Sequence, residues 1–288
     1  MTLNQLKSEF TQTLSGIYEA TEISTFFKLL CESYMGLQSY QITQNLQIEV
    51  EADASAKFQN ALAELKTQKP IQHILGKAYF YGLGFLINEH TLIPRPETEE
   101  LVDWIIKDTA KNTSLKILDI GTGSGCIAVS LAKNRPDAEV YAVDVSDAAI
   151  AIAKENAKFN KVNVNFREVD ILSVSSLSEI FPEIDSFDIV VSNPPYVRNL
   201  EKQEIKDNVL GYEPTTALFV YDDNPLIFYK KIAQLASGDL KKDGILYFEI
   251  NQYLGKEMLD LIAEYQFQDT KLKKDLFKND RMLRARKA

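Results

Sequence analysis

Apolar residues recur at three- and four-residue steps from the start of the chain: Leu3, Leu6, Phe10 and Leu14, then Phe26, Phe27, Leu29, Leu30 and Met35, then Ala54, Phe58, Ala61, Leu62 and Leu65. That spacing lays an apolar stripe along one side of an α-helix. It predicts a small bundle of four or five helices over residues 3–67, the last long one opening on the acidic turn Glu51-Ala52-Asp53-Ala54. After Pro70 the period changes. Ala78-Tyr79-Phe80-Tyr81 and Phe85-Leu86-Ile87 flank Gly82-Leu83-Gly84, which predicts a β-hairpin. From Leu115 short apolar runs alternate with helical patterns. Strands are expected at 116–119, 139–143, 162–167, 188–191 and 245–250, and helices near 125–134, 147–159, 224–237 and 254–264. Segments near 267–272 and 282–288 complete a seven-stranded sheet. Such alternation predicts an α/β fold built on a parallel, doubly wound sheet. Three parts are expected: a helical domain at 1–74, a hairpin linker at 75–92 and an α/β domain at 93–288.

Composition narrows the classes. With 288 residues, 45% hydrophobic and 25% charged, the chain suits a globular protein of two domains. No run approaches the ~18 apolar residues of a membrane span, and the opening decapeptide is too polar for a signal peptide. A cytoplasmic protein with no membrane partner is expected. Cys31 and Cys126 lie far apart, and His73 and His90 are the two imidazoles, so neither a disulfide nor a metal centre is expected. His73 reads as a packing residue and His90 as part of a turn. A net charge of -9 argues against a protein that coats nucleic acid, and no direct DNA binding is expected. One segment opposes this trend: eight basic side chains from Lys271 to Lys287 face two acids, Asp275 and Asp280. A solvated face is the expected reading, with an RNA-facing patch as the alternative.

The candidate chemistry begins at Asn193-Pro194-Pro195-Tyr196, directly behind the buried strand predicted at 188–191. Ligands of open α/β sheets bind beyond the carboxyl ends of the strands. Two successive prolines stiffen the backbone there. The Asn193 side-chain carbonyl and the Pro194 backbone carbonyl would then be two acceptors facing one pocket, with the Tyr196 ring as a wall, an arrangement suited to a planar NH2 group. Taken alone, the tetrapeptide is equally a turn. Upstream, Leu118-Asp119-Ile120-Gly121-Thr122-Gly123-Ser124-Gly125 follows the first strand of the α/β region and opens a helix, with glycines where a backbone can approach a ligand. Asp144 ends the next strand, where an acid can accept both hydroxyls of a ribose. Asp170-Ile171 follows the third, placed to meet an adenine through its amine and its ring. Arg95, between Pro94 and Pro96, is held on rigid backbone, and Pro96 with Glu97 and Glu99 starts a helix.

This succession resembles the class I S-adenosylmethionine-dependent methyltransferases. With Ile93-Pro94-Arg95-Pro96-Glu97-Thr98-Glu99 and the N-terminal helices it resembles the HemK/PrmC family, N5-glutamine methyltransferases of peptide chain release factors. Pro70-Ile71-Gln72-His73-Ile74-Leu75-Gly76, Tyr81-Gly82 and Glu213-Pro214 with Ala217-Leu218 are similar to that family too. The resemblance implies a Rossmann-like methyltransferase fold and S-adenosyl-L-methionine as cofactor. It assigns Asp119, Gly121, Thr122, Gly123, Ser124, Gly125, Asp144, Asp170, Ile171 and Asn193 to that cofactor. It also assigns Asn193, Pro194, Pro195 and Tyr196, with Arg95 and Glu97, to the substrate glutamine, and gives Asn193, Pro194 and Tyr196 the catalytic role. Release factors are the implied partners, docked on the helical domain. Two rival functions remain: a methyltransferase acting on an exocyclic base amine of nucleic acid, adenine N6 or guanine N2, and a binding protein that has kept only the fold.

Overall fold

The computed structural model describes residues 1–204 and 210–288. The chain forms two compact units, Met1–Gly76 with residues 210–212, and the remainder from Lys77.

The first unit is built from α1 (Leu3–Leu14), α2 (Ala20–Met35), α3 (Ser39–Gln44), α4 (Ala52–Lys66) and α5 (Ile71–Leu75). The stripe Leu3, Leu6, Phe10 and Leu14 is fully buried. Phe10 meets Phe27 and Phe58 edge-on, with ring centroids 5.6 and 6.0 Å apart, the offset geometry aromatic rings prefer. Helix α1 starts on a reciprocal cap. The Thr2 hydroxyl accepts from the Gln5 N–H, and the Gln5 side chain accepts from the Thr2 N–H.

In the second unit β1 (Lys77–Phe80) and β2 (Leu83–Leu86) pair as the hairpin. This hairpin packs into the larger unit: Phe80 and Phe85 are buried in the same cluster as Leu101, Ile105 and Ile127. Helix α6 (Pro96–Asp108) follows, with Pro96 at its first position and Glu97 and Glu99 in its first turn. Then come β3 (Lys116–Ile120), α7 (Cys126–Asn134), β4 (Glu139–Asp144), α8 (Asp147–Phe159), β5 (Asn165–Glu168) and β6 (Phe187–Ser192). Short β7 (Val197–Arg198) and β8 (Phe219–Val220) pair with each other. The chain continues through α9 (Ile227–Asp239), β9 (Leu240–Glu249), α10 (Gly255–Glu264), β10 (Gln268–Lys274) and β11 (Asp280–Arg286).

Seven strands form one sheet in the order β10-β11-β9-β6-β3-β4-β5. The sheet is parallel except at one strand. β11 runs antiparallel to both neighbours, pairing Met282 with Glu249 and Leu272 with Leu283. Only residues 275–279 separate β10 from β11, and so short a link can join antiparallel strands but not parallel ones. Alternate residues of each central strand enter different cores. Leu118, Ile120, Val190, Leu246 and Phe248 face one; Ile117, Ile189, Val191 and Tyr247 face the other.

The basic segment at 271–287 is largely paired within this edge of the sheet. Arg281 bonds the buried Asp275 at 3.2 Å, Arg284 bonds Asp108 at 2.8 Å, Arg286 bonds Asp269 and Asp243, and Lys274 bonds Asp280. Lys287 donates to the Gly238 and Leu240 carbonyls. Strand pairing thus matches these cations to acids that sequence distance had hidden.

Candidate active site

The order of the sheet reverses at β3, which has β4 on one side and β6 on the other. Ligand crevices of open α/β sheets form at such a switch point. Here a cavity of about 840 Å3 opens. It is lined by Gly121, Thr122, Gly123 and Ser124 after β3, Asp144 at the end of β4, Asp170 and Ile171 after β5, and Asn193, Pro194 and Pro195 after β6. Four successive strand ends therefore converge on one space.

The glycine turn is held in place from both sides. The Gly123 N–H donates to Asp144 Oδ2 at 2.8 Å, while Asp144 Oδ1 accepts from the Ser146 N–H at 3.0 Å. Each carboxylate oxygen keeps a second lone pair. Burial pushes the Asp144 pKa up, opposed by the N–H groups of Ser146, Gly123 and Val145. At Gly125 a side chain would collide. A Cβ there would lie 3.0 Å from Ala153 Cβ in α8, and its φ of +80° suits glycine alone. By contrast, a Cβ added at Gly121 or Gly123 meets nothing within 4 Å, so both face open space that side chains would begin to fill.

Beneath the turn, Asp119 is completely buried and does not line the cavity. Its Oδ2 accepts from the Thr122 hydroxyl at 2.6 Å, and its Oδ1 is left without a well-formed hydrogen bond among the described residues. Burial pushes its pKa up to about 7, partly offset by Thr122 and the Ala128 N–H. The Asp170 carboxyl is exposed; its Oδ1 accepts from the Leu172 N–H at 2.9 Å. Ile171, buried beside it, offers the apolar surface.

Asn193 is half-buried at the cavity edge, and its Nδ2 donates to the Thr98 hydroxyl at 3.3 Å. Tyr196 differs from its expected place. The ring faces a second, smaller cavity of about 240 Å3 lined by Arg95, Glu97, Tyr196, Glu249 and Arg281. Its hydroxyl donates to Glu249 Oε1 at 3.1 Å, because a buried carboxylate needs donors. Burial and the neighbouring Glu249 hold the phenol well above its ordinary pKa, so it stays neutral. Arg95 lines both cavities, Glu97 the smaller one alone.

Several residues that brace the site were not among the candidate site residues read from the sequence. Glu213, whose side chain is wholly buried, accepts from Arg95 Nη2 at 2.6 Å and from the Ile93 N–H at 3.0 Å, fixing the segment that borders the cavity. Asn251 donates to the Tyr196 carbonyl at 3.0 Å and to Glu201 at 2.9 Å, steadying the chain beyond the prolines. Asn156, a polar residue of α8, is completely buried. Its Oδ1 accepts from the Leu86 N–H at 2.6 Å, and its Nδ2 donates to the carbonyls of Leu86 and Ser124, both at 2.9 Å. Local spacing gives no hint of partners so distant in the chain.

Among the described residues no group of three or more His, Cys, Asp or Glu side chains is arranged to hold a metal ion. Among the same residues no helix is long and apolar enough to cross a membrane. Cys126 lines the cavity, but burial pushes its thiol up to about 12, which leaves it unreactive near neutrality.

The residues present fit a nucleoside with a charged, sulfur-bearing arm. Open backbone lies at Gly121 and Gly123, Asp144 has spare lone pairs for two hydroxyls, and Ile171 offers an apolar face. Residues 99–211 match the family model described as the methyltransferase small domain, and residues 5–76 match the PrmC N-terminal domain. A release factor glutamine methyltransferase of Flavobacterium psychrophilum is 51% identical over 99% of both chains. One of Bacteroides thetaiotaomicron is 42% identical over 98% of this chain and 99% of its own. Among solved structures, the T. thermophilus 16S rRNA N2 G1207 methyltransferase in complex with AdoMet and guanosine is similar in fold. Its TM-score is 0.52 at 20% identity, covering 74% of this chain and 50% of that chain. A glycine turn, a strand-end acid and an Asn-Pro-Pro corner on one cavity, with full-length identity to named relatives, lead to one assignment: this chain belongs to the release factor glutamine methyltransferase family.

Proposed function

We infer that this protein transfers a methyl group from S-adenosyl-L-methionine to the side-chain amide nitrogen, N5, of the glutamine in the Gly-Gly-Gln motif of peptide chain release factors. The observation that carries this reading is the opening of Asn193, Pro194 and Pro195 onto the cavity that Gly121, Gly123 and Asp144 also line. The cofactor, when bound, supplies an electrophilic methyl carried on a sulfonium. The remaining work falls to the chain. Asp144 accepts the ribose hydroxyls with its spare lone pairs, Gly121 and Gly123 leave room for the cofactor's arm, and Ile171 packs on the purine.

An amide nitrogen is a poor nucleophile because its lone pair is shared with the carbonyl. The Asn193 side-chain carbonyl and the Pro194 backbone carbonyl accept its two N–H bonds, which turns the lone pair toward the electrophile. These dipoles also favour the positive charge that gathers on nitrogen as the bond forms. No side chain need act as a base, because the methylated amide is acidic enough to give its proton to water. The buried Tyr196 phenol stays protonated and the Cys126 thiol stays neutral, so neither competes for the methyl.

Family membership favours this reading over methylation of an exocyclic base amine. The paired state of the basic segment argues the same way, since cations already bonded to Asp108, Asp269 and Asp275 are less available to phosphates. The helical unit is proposed to dock the release factor, and the cytoplasm, where translation ends, is the proposed location. Mass spectrometry of a release factor incubated with the protein and methyl donor tests the assignment. One added methyl on the Gly-Gly-Gln glutamine is expected. Methyl transfer to RNA or DNA instead, with the release factor unmodified, would overturn it.

A further inference from the structure

Behind the cavity a line of buried groups ends on Asn193. Glu249 closes β9 and is 1% exposed. Its two oxygens each receive a different hydroxyl. The Thr98 Oγ1 donates to Oε2 at 2.6 Å, and the Tyr196 hydroxyl donates to Oε1 at 3.1 Å. Arg281 stands next in the line, with Nη1 3.5 Å from the Tyr196 hydroxyl. Thr98, in the first turn of α6, is 2% exposed and is also the partner of Asn193 Nδ2 at 3.3 Å.

Donor arithmetic gives this line a direction. Burial raises the Glu249 pKa against the opposing pull of Thr98, Arg281 and Tyr196; in its ionised form the group only accepts, so the single proton of the Thr98 hydroxyl is committed to it. Toward Asn193, the same oxygen can then only accept. The Asn193 carboxamide must therefore present its NH2 group inward, and its carbonyl outward. Asn193 Oδ1 accepts no hydrogen bond from the described residues, and Asn193 lines the main cavity. Were the amide turned over, two acceptors would face each other across the Thr98 contact, which burial makes costly.

We propose that Thr98 is a positioning residue: held by Glu249, its hydroxyl fixes which end of the Asn193 amide meets the substrate, and so makes the site select an NH2 donor over a carboxylate. The proposal rests on the reading of Asn193 as the substrate's acceptor. It adds the reason that a glutamine side chain is held while glutamate, equal in length, is turned away. With a fixed carbonyl facing it, a carboxylate meets an acceptor and no donor. With a free amide, Asn193 could turn its NH2 toward that carboxylate and hold it.

The test compares wild type with Thr98→Val, Thr98→Ser and Thr98→Ala. Three quantities are measured: methylation kinetics on a release factor, methyl-donor affinity by calorimetry, and inhibition by a release factor whose acceptor glutamine is replaced by glutamate. Thr98→Val keeps the side-chain shape and removes the hydroxyl. It should lower kcat by about tenfold or more, the scale of one charge-assisted hydrogen bond, and leave methyl-donor affinity within about twofold. The glutamate-bearing inhibitor should gain about tenfold relative to the glutamine form. Thr98→Ser should restore both values, and Thr98→Ala should shift the inhibitor ratio in the same direction as Thr98→Val. If Thr98→Val is poorly folded, the Thr98→Ala ratio decides the matter. An unchanged ratio in the folded variants, or a loss of turnover that serine does not restore, overturns the proposal. Asn193→Ala, run alongside, separates this from failure of the underlying reading: near-normal turnover in that variant would refute the role of Asn193 itself.

Discussion

Gly123 donates its backbone N–H to Asp144 Oδ2 at 2.8 Å, which ties the turn after β3 to the acid that ends β4. The carboxylate thus has two duties, holding the turn and meeting the ribose. Asp144→Ala removes both. Methyl-donor affinity measured by calorimetry should fall by roughly 100-fold, the combined scale of two hydrogen bonds to a charged acceptor. An affinity within threefold of wild type would refute the assignment.

Asn193→Ala should separate chemistry from cofactor binding. Turnover on a release factor should drop by roughly 100-fold, comparable to loss of one preorganised polar group elsewhere. Affinity for the methyl donor should stay nearly unchanged, because Gly123 and Asp144 hold each other without help from Asn193. Parallel loss of both quantities would point to a collapsed cavity rather than a missing acceptor.

Gly125→Ala places a methyl 3.0 Å from Ala153 Cβ and 3.3 Å from its Cα at a φ of +80°. Helix α8 must yield, and overpacking of this kind destabilises by about 1–3 kcal/mol. Urea unfolding should show a lower midpoint and calorimetry a weaker methyl-donor affinity. An unshifted midpoint would mean that α7 and α8 separate more easily than their packing suggests.

Asp119 provides a pH signature. Its pKa is raised to about 7 in the fold, from about 4 in an unfolded chain. The folded state therefore prefers the protonated acid. Its contribution to stability is whole below pH ~4 and is lost as pH rises through about 7. In the cofactor-free protein, Asp119→Asn keeps an acceptor for the Thr122 hydroxyl but cannot ionise. The melting temperature of the variant relative to wild type should rise between pH 5 and pH 8. A difference that stays constant across that range would show Asp119 to be unperturbed.

Much of this architecture was readable in advance because its signals are local. The buried strands are short apolar runs, the helices carry their stripes, and the glycine turn, Asp144 and the Asn-Pro-Pro corner sit at successive strand ends. Where the reading missed, the deciding partner lay far away. The strand expected at 162–167 begins instead at Asn165. Lys161 takes a φ of +57° and the Val162 N–H returns to the Ala157 carbonyl, so Val162 packs as the exit from α8. β9 starts at Leu240, earlier than its apolar run, because Leu240 pairs with Phe187 across a register shift that the polar Lys241, Lys242 and Asp243 conceal. The direction of β11 follows from a five-residue link rather than from composition. Tyr196 looked like a wall of the substrate pocket; only the fold reveals the buried Glu249 that draws its hydroxyl elsewhere.

Asn156 has a consequence for motion. Its amide nitrogen and its oxygen are all engaged, tying Leu86 of the hairpin and Ser124 of the glycine turn to α8. Those three pieces are thereby tied to one another, so the glycine turn is not free to move apart from the hairpin and α8. Deuterium should accordingly enter the Leu86 and Gly123 amides in step, at a pace set by the opening of the whole body rather than by either loop alone.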